Sequence, residues 1–116
     1  YIDDIVDGII RITNQIPGLN ENWNSHTPSF QDSDKPWRVF NIANGTSVPL
    51  MEFIETIEAK LNKKAVSNLL PLQPGDVPET HADISLLSEV TGYQPKTSVK
   101  EGVGKFVDWY LSFYGE

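Results

Sequence analysis

A chain of 116 residues has room for one domain, which at that size buries roughly two thirds of the surface its unfolded form exposes. With 39% apolar and 22% charged residues it has the composition of a globular protein. Nine basic against sixteen acidic residues leave a net charge of −7, which argues against nucleic acid or an anionic membrane as a partner.

Asp3 or Asp4 stands where a first helix would be capped. Ile5, Val6, Ile9, Ile10 and Thr13 then repeat at helical spacing. Gly8 lies inside that pattern, where glycine costs about 1 kcal/mol relative to alanine, so a packing reason for it is expected. Pro17-Gly18 ends the helix. From Leu19 to Pro36 nothing is periodic; the stretch is a polar loop, with Trp23 and Phe30 as the residues to pin it. Loops of that length are usually functional or mobile.

Arg38 to Ala43 alternates as a short strand and closes on Asn44-Gly45. A second helix follows, with Thr46 or Ser47 near its cap and Pro49 in its first turn. Its apolar face is Leu50, Phe53, Ile54, Ile57 and Leu61, with Glu52 and Glu55 early and Lys60, Lys63 and Lys64 late, as the helix dipole favours. Ala65-Val66 and Leu69 to Leu72 suggest another strand, kept short by prolines. Strand, helix and strand make a βαβ unit, and the expected class is α/β.

Gln73-Pro74-Gly75-Asp76 is the sharpest local signal. A Pro-Gly pair favours a type II turn and sets the flanking polar side chains on one side of a loop. A plain turn with Asp76 solvated is the competing reading. Asp83 is placed to cap a short helix with Ile84, Leu87 and Val90 inward and Gly92 as its left-handed terminus. Ser98 and Glu101 stand at capping-box spacing before a last helix striped with Val99, Val103, Phe106, Val107, Tyr110 and Tyr114.

With no cysteine there is no disulfide framework, which fits a cytoplasmic location. No apolar run approaches the ~20 residues of a membrane span, and no secretory signal opens the chain. His26 and His81 are far apart without thiols nearby, so no metal site is expected.

The order Leu70 to Asp83, then Gly92-Tyr93-Gln94-Pro95-Lys96-Thr97, then a helix from Ser98, resembles the C-terminal end of the extended short-chain dehydrogenase/reductases. Nucleotide-sugar epimerases of the UDP-glucuronate 4-epimerase type resemble it most. The stretches Tyr1 to Ile9 and Pro17 to Ile42 are similar to that subgroup too. The resemblance implies a substrate-side part without the N-terminal Rossmann core. Residues 1–16 would be a helix packing on that dinucleotide-binding domain, 17–37 a long loop, and 38–116 the βαβ unit with C-terminal helices.

It further implies an isomerase that uses NAD in its full-length form, with no cofactor expected on this part alone. Asp76 would accept hydrogen bonds from the ribose hydroxyls of a UDP-sugar, and Thr80 would lie near the sugar. Gln73 stands where relatives often carry an arginine on the diphosphate; an amide donates hydrogen bonds but brings no charge. No tyrosine has a lysine four residues on, and no glycine-rich turn follows a strand, so the chain alone is expected to be non-catalytic. The opening Tyr1-Ile2-Asp3-Asp4 reads as mid-protein sequence, and an apolar surface at Ile5, Ile9 and Ile10 is expected where the missing domain would pack, with self-association as its consequence. Other nucleotide-sugar short-chain enzymes (a dehydratase, decarboxylase or reductase), a non-catalytic nucleotide-sugar or protein-interaction module and a stable proteolytic core remain as alternatives.

Overall fold

The computed structural model describes residues 1–29 and 31–115, so the expectation for Phe30 lies outside the described residues. Four helices are present: α1 (Ile2–Thr13), α2 (Leu50–Leu61), α3 (Ser85–Thr91) and α4 (Val99–Tyr114). No strand occurs among the described residues, and the α/β expectation with its βαβ unit is overturned. The reason is that a strand is completed by a neighbour. Arg38 to Ala43 has no ladder; side chains hold it, the Asn41 amide donating to the Asp83 carbonyl (3.1 Å) and the Tyr93 hydroxyl to that of Ala43 (3.5 Å). Along Asn62 to Thr80 every residue is exposed, with Val66 99% accessible, and Pro71, Pro74 and Pro78 have no N–H to give a ladder.

The chain divides into two compact units, Tyr1–Thr46 with His81–Lys96, and Ser47–Thr80 with the residues from Thr97 on. In the first, α1 meets α3 over a core of Tyr93 and Leu87, each 1% accessible. The packing reason for Gly8 is visible: a Cβ there would stand 3.2 Å from both Ile42 Cγ2 and Tyr93 Cε2. Asp3 and Asp4 sit in the first turn of α1 rather than capping it; Tyr1 holds the cap position and makes no side-chain cap bond. Asp4 Oδ1 instead accepts the Lys96 N–H (3.2 Å), while Arg11 pairs with Asp7 (2.8 Å) and donates to the Thr91 carbonyl (3.2 Å). The apolar residues of α1 largely face outward: Ile2, Val6, Ile9 and Ile10 are exposed, while Ile5 and Ile12 are half-buried.

The 17–37 loop closes at its neck, where Asn20 N–H donates to the Ser33 carbonyl (2.9 Å) and the Asn20 amide to Asp32 (3.1 Å). Ser33 is buried and Trp23 half-buried. Asp83 Oδ1 accepts the Ser85 N–H (2.8 Å) at the start of α3, and Gly92 ends that helix at φ +66°.

In the second unit α2 packs against α4. Pro49, not Thr46 or Ser47, occupies the cap position of α2, with no side-chain cap bond. Ser98 caps α4 by accepting the Glu101 N–H (3.2 Å). Gly102 and Val107 are buried, and Lys60 pairs with Asp108 (2.8 Å). Phe106, Trp109, Tyr110, Phe113 and Tyr114 form an exposed row of neighbouring rings, tilted or edge-on to one another except for the stacked Trp109 and Phe113, 5.4 Å apart.

Candidate functional site

The turn expected at Pro74-Gly75 is formed. Asp76 N–H donates to the Gln73 carbonyl (3.1 Å), and Gly75 lies at φ +95°, the left-handed third position that a type II turn assigns to glycine. Proline fixes the second position, so two residues of sequence determine the geometry. Gln73 and Asp76 therefore stand at the two ends of one turn, both exposed. The Gln73 amide donates a long bond to the Pro71 carbonyl (3.4 Å). Among the described residues no hydrogen bond or ion pair engages the Asp76 carboxylate, which leaves its oxygens to accept from an incoming ligand. Thr80 is exposed four residues on, and among the described residues no hydrogen bond joins it to the turn.

Sequence reasoning passed over what anchors this stretch. After α2 the chain turns on Asn62, left-handed at φ +51°, and the Glu58 carbonyl accepts from both Asn62 and Lys63 N–H. The Glu58 carboxylate then takes the Ala65 N–H on Oε1 (2.8 Å) and the Lys64 ammonium on Oε2 (2.5 Å). These bonds hold its carboxyl below the ordinary range, Lys64 contributing most and Ala65 next. The only sequence cue is an acid seven residues before an alanine, which carries no recognisable pattern.

In the other unit, His81 Nε2 lies 3.2 Å from the Gly45 carbonyl. Asp83 is held below its ordinary range first by the Ser85 side chain and then by its N–H. Burial, with Asp4 and Asp7, pushes the Tyr93 phenol up. Gly102 and Gly104 lie inside α4, Gly102 buried, so that glycine pair does not fit a dinucleotide pyrophosphate. Among the described residues no group of three or more His, Asp or Glu is placed to hold a metal, and no helix is long and apolar enough to cross a membrane.

No family model matches the chain. Curated proteins match it over nearly all its residues. "Protein CapI" of Staphylococcus aureus is 46% identical over 114 residues, 98% of this chain and 34% of that protein. "Probable UDP-glucuronate 4-epimerase" of Rhizobium meliloti is 42% identical over 116 residues, again 98% and 34%. "UDP-glucuronate 4-epimerase 4" of Arabidopsis thaliana is 38% identical over 115 residues, 98% of this chain and 25% of that protein. The chain thus spans a quarter to a third of the length of these relatives. Over nearly all its residues the chain is similar to part of proteins named UDP-glucuronate 4-epimerase.

Proposed function

We propose that this chain supplies one wall of the nucleotide-sugar site of a UDP-sugar 4-epimerase, with UDP-glucuronate as the substrate, and that it is not catalytic alone. The observation that carries the reading is the Gln73–Asp76 turn, which presents an unengaged carboxylate beside an amide on an exposed loop. A carboxylate suits a vicinal diol, since it accepts two hydrogen bonds; Asp76 is assigned the ribose hydroxyls. The Gln73 amide donates toward the diphosphate, and the missing positive charge comes from residues outside this chain. Thr80 is assigned to the sugar. An NAD-dependent parent belongs to the same reading, with the dinucleotide held outside these residues.

Calorimetric titration of UDP, UDP-glucuronate and NAD into the chain tests this. Weak UDP binding is expected, with no heat from NAD. Asp76→Ala should weaken it by at least about tenfold, the lower end for losing hydrogen bonds to a charged group. A folded chain silent toward UDP would overturn the assignment of a binding site to these residues alone; tight NAD binding would overturn the whole reading.

A further inference from the structure

We infer that Glu58 is a positioning residue for the nucleotide-sugar turn, an inference that rests on the reading of Gln73 and Asp76 above. Within its own unit, the stretch from Ala65 to Thr80 has little else to hold it. Among the described residues its hydrogen bonds beyond Ala65 are internal, Asp76 N–H to Gln73 and the Gln73 amide to Pro71. Glu58 makes the anchorage where the stretch departs. Its carbonyl takes the Asn62 and Lys63 N–H groups, one carboxylate oxygen takes the Ala65 N–H, and the other takes Lys64. The side chain is 13% accessible although it lies near a helix end.

The two carboxylate bonds differ in consequence. Lys64 is 86% accessible, and its ammonium is free to find water instead. The Ala65 N–H is a fixed backbone donor, and its bond sets the direction in which the chain leaves α2. Glu58 therefore acts through backbone geometry, and the ion pair is secondary. When a binding-competent orientation falls to a fifth of the population, apparent affinity falls about fivefold with no contact to ligand changed.

Because the chain has no cysteine, Val77→Cys gives one spin-label position beside the turn, exposed and outside the proposed contacts. The label's broadening of α2 and α4 amide signals reports where the turn sits, independently of any ligand. The wild type should give a pattern confined to part of those helices. Glu58→Ala should spread it and weaken UDP binding about fivefold. Glu58→Gln keeps an oxygen for the Ala65 N–H and should restore both, and Lys64→Ala should change neither. Ala65→Pro removes the donor at an exposed position and should reproduce the Glu58→Ala pattern even if that variant fails to fold. An unchanged pattern in Ala65→Pro and Glu58→Ala overturns the inference, as does a Lys64→Ala effect as large as that of Glu58→Ala. If the wild type does not bind UDP, the reading of Gln73 and Asp76 fails, and the label pattern alone still decides whether Glu58 orients the turn.

Discussion

At Gly8 two opposing effects are close enough in size for geometry to decide. Alanine would gain about 1 kcal/mol of helix propensity. Its Cβ, however, would press on Ile42 and on Tyr93 at 3.2 Å, and Tyr93 is too buried to retreat. Overpacking of that kind costs about 1–3 kcal/mol. Gly8→Ala is therefore expected to lower stability by about 1 kcal/mol net in urea unfolding, and Gly8→Val by more. Tyr93→Ala, emptying the same site, should cost about 3–5 kcal/mol, whereas Tyr93→Phe loses only a long 3.5 Å bond and should cost at most about 1 kcal/mol. Glu58 and Asp83 set the acid response. Both carboxyls are held below their ordinary values, 4.5 and 3.8, so the folded chain binds fewer protons than the unfolded one as pH falls. Their contribution is whole above that range and disappears as pH drops through the depressed values. The difference in urea midpoint between wild type and Glu58→Gln/Asp83→Asn should be steady between about pH 5 and 7 and shrink toward zero below about pH 4.

Helices, the Pro-Gly turn and some helix ends were legible because their signals are local, whereas the caps expected for α1 and α2 were not the ones formed. The α1, α2 and α4 patterns, the left-handed Gly92, the Ser98 cap and the Pro74-Gly75 turn each depend on residues within four positions of one another. The two strands were not, because an apolar run such as Leu69 to Leu72 specifies a sheet only where another strand takes its hydrogen bonds. Prolines within and after that run weaken its claim further. An infrared amide I spectrum of the chain should accordingly show helix and irregular structure without a sheet band, and a clear sheet band would return the strand assignment. Which face of α1 is buried was equally hidden. Periodicity identifies an apolar stripe at Ile5, Val6, Ile9 and Ile10, but not whether this chain covers it. Of the candidate site, the turn was readable from Pro74 and Gly75 alone. Its anchorage was not, since the link from Glu58 to Ala65 depends on how the chain bends at Asn62.

At the scale of the whole molecule, the surface in water is the informative quantity. Two separate compact bodies of half this mass would together expose roughly 7,600 Å². The chain exposes 9304 Å², so it leaves far more surface uncovered than its size requires, whatever the placement of its two units. Much of the excess is apolar. On α1, Ile9 and Ile10 are 51% and 56% accessible; on α4, Trp109 and Phe113 are 52% and 67% accessible. Aromatic side chains carry about 150–250 Å² each, so the exposed row of α4 alone reaches the few hundred Å² at which apolar patches drive association. The charge of −7 opposes that association only over about 8–10 Å at physiological salt. The isolated chain should therefore bind a hydrophobic dye and self-associate as concentration rises, more so with added salt. Ile9→Glu with Ile10→Lys leaves the net charge unchanged and should reduce both effects while helix content stays constant. A chain that sediments as a monomer at high concentration and salt, with no dye binding, would mean that these faces are covered within the folded protein and that their exposure is not the source of its behaviour.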